Sequence, residues 1–139
     1  MQAGEPSNQN NQPFKDRKVL VVEDNPVNQI VAQENLESLG CAVDIADDGL
    51  LGLNAWSNET YDLVCMDCAM PNMDGLEATR QIRAQELNGG KNVHTPIVAI
   101  TAHAHEENKI ECMEAGMDDF LTKPISRAEL QEKLSRWLS

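Results

Sequence analysis

Short apolar runs alternate with stretches of helical periodicity from about residue 18 to the end of the chain. Two runs, Val19–Val22 and Ile97–Ile100, are apolar without alternation, which is typical of strands covered on both faces. The predicted β-strands are Lys18–Glu23, Cys41–Ala46, Tyr61–Met66, Pro96–Thr101 and Asp118–Thr122.

The five stretches that follow these strands carry the residues that begin and end helices. Asn25 is a capping residue before Pro26, a favoured first helical residue, and Gly40 ends that helix. The other predicted helix ends are marked by Asp48, Asp74, Gly116 and Ser126. Because crossovers between parallel strands are right-handed, these five βα units predict an α/β fold with a parallel sheet and helices on both faces.

Composition limits the class of protein. The 139 residues correspond to roughly one domain, and Asn, Gln, Pro and Gly dominate residues 1–16, where we expect a flexible tail or an interdomain linker before a domain at 17–139. The chain has 11 Lys and Arg against 23 Asp and Glu, a net charge of −12, which argues against nucleic acid or an anionic membrane as partner. No apolar run is long enough to span a membrane, and no signal peptide is present, so we expect a cytoplasmic module without direct membrane contact.

Polar residues lie at the ends of four predicted strands. Glu23 ends the first strand and Asp24 follows it, Asp67 follows the third, Thr101 ends the fourth, and Lys123 follows the fifth. Taken singly, each residue has an ordinary role as a helix cap, a surface lysine or a strand residue. The carboxyl ends of parallel strands meet at one edge of the sheet, where ligands bind, so their joint placement indicates a ligand site. Carboxylates this close repel one another and need a cation, for which Mg²⁺ is best suited. A lysine and a hydroxyl beside it would complete a phosphoryl pocket.

The cysteines give a weaker signal. Cys65 and Cys68 form a C-x-x-C pair, which is found in zinc and redox sites. No second Cys or His pair has ligand spacing, so we interpret the four cysteines as small apolar residues of a reduced protein.

Four segments of the chain together resemble a response-regulator receiver domain, in the order and spacing of that family from about Lys18 to Leu138. The resemblance implies a flavodoxin-like (βα)5 doubly wound sandwich, with a five-stranded parallel sheet of order 2-1-3-4-5. Two further segments, Asp24–Gln29 and Ala115–Phe120, look most like receivers of hybrid sensor histidine kinases. The four segments are Val19–Asn25, Asp67–Gly75, Thr101–Ala102 and Phe120–Pro124.

The resemblance implies a metal site and a phosphoacceptor. Asp67 would accept the phosphoryl group, and Asp24 and Asp67 would ligate Mg²⁺, with Mn²⁺ as an alternative ion. Glu23 would reach the metal directly or through water. The third protein ligand would be the main-chain carbonyl of Ala69.

The same resemblance implies how the phosphoryl group is held and sensed. Lys123, the Thr101 hydroxyl and the backbone at Ala102 would bind it, and Phe120 would reorient together with Thr101. His103 lies where family members vary and where the rate of dephosphorylation is tuned.

A docking surface is expected on the first helix. On a helical wheel, Val27 and Ile30 fall outside the arc that should face the sheet. With the Pro124–Ile125 turn, which the resemblance gives a cis Lys–Pro bond, we expect them to form an apolar patch for a histidine-phosphotransfer helix. The sheet-facing arc is Asn28, Val31, Ala32, Asn35, Leu36 and Leu39.

The predicted function is a phosphoacceptor module of a two-component phosphorelay. A phosphohistidine of a histidine kinase donor domain or a histidine-phosphotransfer protein would supply the phosphoryl group. The module would work within or next to a hybrid kinase, and a membrane anchor in that parent kinase is compatible with this prediction. Phosphorylation and dephosphorylation would be self-catalysed, which leaves open whether the chain counts as an enzyme. The alternatives are a Mg²⁺-dependent aspartyl-phosphate phosphatase, a stand-alone single-domain regulator, and an interaction domain that is not phosphorylated. Such phosphatases usually have a second Asp two residues after the nucleophile, a position that Ala69 occupies in this chain.

Overall fold

The computed structural model describes residues 13–68, 73–88, 94–102 and 106–138, with the backbone alone for 106–108. Within these ranges, strands and helices alternate along the chain, and every strand begins and ends within two residues of its predicted bounds. The strands are β1 Lys18–Val22, β2 Ala42–Ala46, β3 Leu63–Asp67, β4 Ile97–Thr101 and β5 Asp119–Thr122. The helices are α1 Pro26–Ser38, α2 Gly49–Asn58, α3 Gly75–Leu87, α4 Glu106–Ala115 and α5 Arg127–Leu138.

The five strands form one parallel sheet of order β2-β1-β3-β4-β5, which confirms the predicted order. The register pairs Asp67 at the end of β3 with Ile100, and Thr101 at the end of β4 with Thr122. The polar residues at these strand ends therefore lie along one edge of the sheet, as ligand sites in open α/β sheets do.

Two apolar layers cover the sheet. Val19 and Val21 of β1 pack in a core with Leu36 of α1 and residues of α5. The alternate residues Leu20 and Val22 pack on the other face with residues of α2 and α3. Because strand side chains alternate between faces, a strand without polar residues is expected when both faces are covered. The interpretation of the β1 run is thus confirmed.

The predicted capping residues of α1 lie at the two ends of that helix. Asn25 Oδ1 accepts the backbone N–H groups of Val27 (2.9 Å) and Asn28 (3.2 Å), with Pro26 as the first residue of α1. Gly40, with a φ of 104°, follows the end of that helix in the left-handed region that glycine adopts without strain. The short β1–α1 connection therefore holds residues 23–25 at the edge of the sheet.

The residues before β1 also contact the domain. The Phe14 N–H donates to the Leu39 carbonyl (2.9 Å), and the Phe14 ring packs on the core beneath α1. This packing begins ahead of the predicted boundary at residue 17, whereas residues 1–12 of the predicted tail lie outside the described ranges. In the described part of the chain, every helix is too short or too polar to cross a bilayer.

Candidate functional site

Three carboxylates meet at the carboxyl edge of the sheet. Glu23 directly follows β1 and is 1% exposed, and Asp67 is the last residue of β3 and is 4% exposed, while Asp24 is exposed. One carboxylate oxygen from each lies within 4.8 Å of the others. Like charges held this close favour a bound cation. The sequence prediction that these three acids come together therefore agrees with the geometry.

Lys123 faces this cluster from the end of β5. Its Nζ lies 3.3 Å from Glu23 Oε1 and 3.4 Å from Asp67 Oδ2, and its backbone N–H donates to the Thr101 carbonyl (2.8 Å). Partial burial of Lys123 disfavours its charged form, but the attraction of Asp67 and Glu23 outweighs this and raises the pKa of the ammonium group. Lys123 therefore stays cationic at neutral pH.

Glu23 is held in a fixed position. Its Oε2 accepts the Asn25 N–H (3.1 Å), and its main-chain carbonyl accepts Gln29 Nε2 (2.7 Å), which also donates to Asp47 (2.8 Å). Gln29 was not singled out from the sequence. Its position one helical turn after the Asn25 cap could have indicated that its side chain reaches back to the end of β1.

The donor set fits a hard divalent cation. Glu23 Oε1 is buried and accepts no hydrogen bond from the described residues, although the Lys123 ammonium lies near it. A buried oxygen of this kind is costly unless something satisfies it. Carboxylate oxygens with room for water are the ligands that Mg²⁺ prefers. The acidic cluster could therefore hold a metal ion.

The main chain at Asp67 is packed tightly against the start of α3. The Gly75 N–H donates to the Cys68 carbonyl (3.1 Å), and a Cβ on Gly75 would lie 2.1 Å from the Asp67 carbonyl oxygen. A glycine is therefore required at position 75, because the backbones of Asp67 and Gly75 approach each other closely. The sequence motif includes Gly75, but this packing role could not be predicted from it.

An open cleft of about 430 Å³ lies above the cluster. Of the residues predicted to bind metal or phosphoryl, the described structure brings five to its wall, and Glu23 lies buried beside them. The predicted Ala69 and His103 lie outside the described residues. The cleft is lined by Asp24, Asn25, Pro26, Asn28, Asp67, Cys68, Thr101, Ala102 and Lys123.

Phe120, the predicted switch aromatic, lies beside this region on β5. It is half-buried and pairs with Ala99 in the β4–β5 register. The Lys109 ammonium lies 4.6 Å from the centre of its ring, and that of Lys133 lies 5.9 Å from it. Two cations against one ring stabilise the observed orientation through the ring quadrupole.

The predicted docking patch is present only in part. Val27 is 67% exposed and Ile30 is 54% exposed on α1, and Pro124 is exposed after a cis peptide bond with Lys123. Ile125, however, is 8% exposed and packs in the core beneath α1 and α5, so its inclusion in an exposed patch was wrong. The turn before α5 points this side chain inward, which helical periodicity cannot reveal.

The cysteines do not form the pair that their spacing suggests. Cys65 lies inside β3 in the core beneath α1 and α5, where burial raises its pKa to about 12. Cys68 follows β3 and packs on the opposite core. Its Sγ lies 3.3 Å from Sγ of Cys112 on α4, and all four cysteines are free thiols.

Comparison with known families identifies the family of this domain. Residues 19–135 match the model of the response regulator receiver domain. The chain belongs to this family. The sequence match shows the family, and the observed sheet order agrees with the fold expected for it.

This receiver domain is similar to domains found in histidine kinases. It is 44% identical over 120 residues to the sensor protein GacS of Pseudomonas syringae pv. syringae, covering 86% of this chain but 13% of that protein. The receiver domain of sensor histidine kinase PA1611 from Pseudomonas aeruginosa PAO1, solved with a magnesium ion in its active-site cleft, is 46% identical with a TM-score of 0.80 and covers 88% of this chain and 98% of that one.

A third solved structure contains a partner. The receiver domain of the response regulator Ssk1 from Saccharomyces cerevisiae, crystallised with the histidine phosphotransfer protein Ypd1, is 32% identical to this chain. Its TM-score is 0.80, and the match covers 89% of this chain and 90% of that one.

Proposed function

We propose that this receiver domain accepts a phosphoryl group on Asp67 from a phosphohistidine, in a Mg²⁺-dependent phosphorelay. The observation that carries the proposal is the placement of a nearly buried Asp67 carboxylate 3.4 Å from the Lys123 ammonium, at the floor of an open cleft. A carboxylate needs no deprotonation at neutral pH to act as a nucleophile. The match to the receiver family supports this assignment.

The three acids would hold the metal. Asp24 and Asp67 are the expected direct ligands, with Glu23 in reach from its buried position, and the carbonyl of Ala69 is the further expected ligand outside the described residues. Mg²⁺, when bound, supplies positive charge that neutralises the phosphoryl oxygens. We propose Mg²⁺ as the bound ion. Mn²⁺ is the alternative and would bind the same oxygens.

The residues of the chain then have distinct tasks in transfer. A carboxylate oxygen of Asp67 forms a bond to phosphorus while the bond between phosphorus and the donor imidazole breaks, and the product is an acyl phosphate. The transition state is loose and spreads charge over the phosphoryl oxygens. Lys123 neutralises part of that charge, and Thr101 and the backbone at Ala102 position the oxygens at the cleft wall. Phe120 would reorient with Thr101 after transfer.

We further propose that the receiver works within or beside a hybrid histidine kinase and exchanges phosphoryl with a histidine-phosphotransfer helix. Similarity to kinase receivers and to the Ssk1 receiver supports this pairing. Val27 and Ile30 are exposed in the first turns of α1, and Pro124 is exposed in the β5–α5 connection. Their chain neighbours Pro26, Asn28 and Lys123 line the cleft that a phosphohistidine must enter.

The test is direct labelling. The chain is incubated with acetyl phosphate and Mg²⁺, and its intact mass and labelled peptide are determined. We expect a gain of one phosphoryl group on Asp67, lost in Asp67→Asn and on removal of the metal with a chelator. Asp16→Asn, at an exposed aspartate outside the site, is the matched control and should label normally.

Three results would contradict the proposal. Labelling that persists in Asp67→Asn and maps elsewhere would exclude Asp67 as the acceptor. Sustained hydrolysis of a phosphomonoester would identify a phosphatase. Absence of any adduct in the unmodified chain would identify an interaction domain that is not phosphorylated.

A further inference from the structure

Two thiols from distant parts of the chain meet beside the acceptor. Cys68 follows Asp67 at the end of β3, Cys112 lies in α4, and their sulfur atoms are 3.3 Å apart. A disulfide needs a sulfur separation of about 2.05 Å, so an approach of roughly 1.3 Å would join them.

The two thiols differ in their access to solvent. Cys68 is half-buried and lines the cleft, whereas Cys112 is 3% exposed behind it. The other cysteines, Cys41 and Cys65, are both buried in the opposite core. A small oxidant in the cleft would therefore reach Cys68 first, with Cys112 already in contact to complete the reaction.

We propose that Cys68 and Cys112 are an oxidative modification site, at which a peroxide or a disulfide oxidant forms a reversible intrachain disulfide that slows phosphoryl acceptance at Asp67. The second part of this proposal rests on the proposed function. The first part, formation of the bond, stands without it.

The chemistry balances with hydrogen peroxide as the oxidant. The Cys68 thiol gives up its proton as the sulfur attacks one peroxide oxygen and the O–O bond breaks. The departing hydroxide takes up that proton, so a sulfenic acid and one water form. The Cys112 sulfur then attacks the Cys68 sulfur, the S–O bond breaks, and a second water leaves with the S–S bond in place. Both sulfurs are oxidised and the peroxide is reduced. With oxidised glutathione, the Cys68 sulfur instead displaces one glutathione thiol to form a mixed disulfide, and the Cys112 sulfur then displaces the second glutathione thiol. A dithiol reductant restores the two thiols by exchange.

The bond would act on the acceptor through the main chain. Cys68 donates its N–H to the Ile100 carbonyl (3.1 Å) and accepts the Gly75 N–H (3.1 Å), so its backbone is held on both sides. Drawing its side chain toward α4 strains these contacts directly beside Asp67 and fixes α4 to the end of β3. A misplacement of about 1 Å at a reacting group can reduce a rate by roughly 100-fold.

The experiment separates the two parts. The chain is treated with hydrogen peroxide or oxidised glutathione, and its digest is searched for a peptide that joins Cys68 to Cys112 with the loss of two hydrogen atoms. Labelling by acetyl phosphate is then timed for the oxidised, reduced and re-reduced chain. We expect the linked peptide and a labelling rate lower by about tenfold or more, within the range that such a displacement produces, with full recovery after dithiothreitol.

Variants identify the cause. Cys112→Ala should neither form the linked peptide nor lose labelling on oxidation, and Cys112→Ser replaces it if the alanine variant folds poorly. Cys41→Ala, at another buried cysteine, is the control and should behave like the unmodified chain.

Failure to find the linked peptide, or oxidation of Cys68 to a sulfinic acid instead, would overturn the proposed modification site. If the linked chain labels as fast as the chain with free thiols, the proposed effect of the bond on Asp67 is wrong. If the reduced chain does not label at all, the proposed function fails, and the mapped bond alone decides the modification site.

Discussion

At the scale of single residues, the electrostatics of Glu23 and Asp67 dominate the site. Both carboxylates are almost fully buried, and the described structure gives them one shared cation, Lys123. Among the described residues, the carboxylates of Glu23, Asp67 and Asp24 at the rim thus face the one ammonium group of Lys123. Buried charges are costly unless paired, so the cluster gains stability from any further cation that its oxygens can ligate.

The first prediction ranks the acids as ligands. Asp24→Asn should weaken Mg²⁺ binding by about tenfold or more, because the site has few anionic ligands and this substitution removes one of them. A tenfold loss of affinity is equivalent to about 1.4 kcal/mol. Glu23→Gln should weaken it less if Glu23 acts through water. Isothermal titration calorimetry with MgCl₂ measures both, with Asp16→Asn as the control. Equal losses in the two site variants would contradict the ranking.

The second prediction concerns Gly75. Gly75→Ala would bring a methyl group within 2.1 Å of the Asp67 carbonyl oxygen, so β3 or α3 must shift. We expect a loss of about 1–3 kcal/mol in the free energy of unfolding and slower labelling by acetyl phosphate. Ala84→Gly, at an exposed position in the same helix, should cost about 0.5–1 kcal/mol without slowing labelling. Normal labelling in Gly75→Ala would show that the close approach does not position the acceptor.

At the scale of helices and strands, the sequence predicted what depends on local pattern. The uninterrupted apolar run of β1 and the Asn25–Pro26 helix start follow from burial on two faces and from capping, and both were observed. Family resemblance supplied the order of the strands. The inward turn of Ile125 and the contact of Cys68 with Cys112 depend on how distant elements pack, which has no periodic signal in one sequence.

The third prediction concerns the coupling of β4 and β5. In Thr101→Val, the acceptor and Lys123 remain, so labelling should persist. The hydroxyl that would follow the new charge is lost, and Phe120 should keep its contacts with the ammonium groups of Lys109 and Lys133. We expect phosphorylation to leave most amide NMR shifts between residues 101 and 122 unchanged in this variant, because the local charge no longer biases the switch. The full pattern of shifts in Thr101→Val would refute this coupling.

The fourth prediction tests the exposed face of α1. Ile30→Glu should leave folding and acetyl phosphate labelling intact, since neither uses that side chain, but should slow phosphoryl exchange with a histidine-phosphotransfer protein by about tenfold, or about 1.4 kcal/mol in the barrier. Leu87→Glu, at an exposed leucine of α3, provides the matched control and should exchange normally. Unchanged exchange in Ile30→Glu would reduce this residue to an ordinary surface hydrophobe.

At the scale of the whole molecule, Asp119 ties the edge strand to the last helix. The backbone N–H of Phe120 donates to its Oδ1 (2.8 Å), as does Lys133 (3.0 Å), while Arg136 and Trp137 donate to Oδ2 (both 3.0 Å). Burial alone would raise the pKa of Asp119, but the bonds from Trp137, Lys133 and Phe120 outweigh it and lower the pKa below the ordinary 3.8. The ionised form is therefore bound more tightly in the folded state.

The last prediction follows from the sign of that shift. A carboxyl group with a lowered pKa in the folded state stabilises the fold above its ordinary pKa of 3.8, and this contribution disappears as the pH falls through the folded value. Asp119→Asn should therefore reduce the free energy of unfolding by about 1–3 kcal/mol at neutral pH, and the deficit should shrink below pH 3.8. Urea unfolding of both chains across this range measures it, and Asp16→Asn should stay within about 0.5 kcal/mol of the unmodified chain. A deficit that stays constant down to the most acidic pH would mean that Asp119 contributes through packing, because lost charge pairing must fade as the carboxylate is protonated.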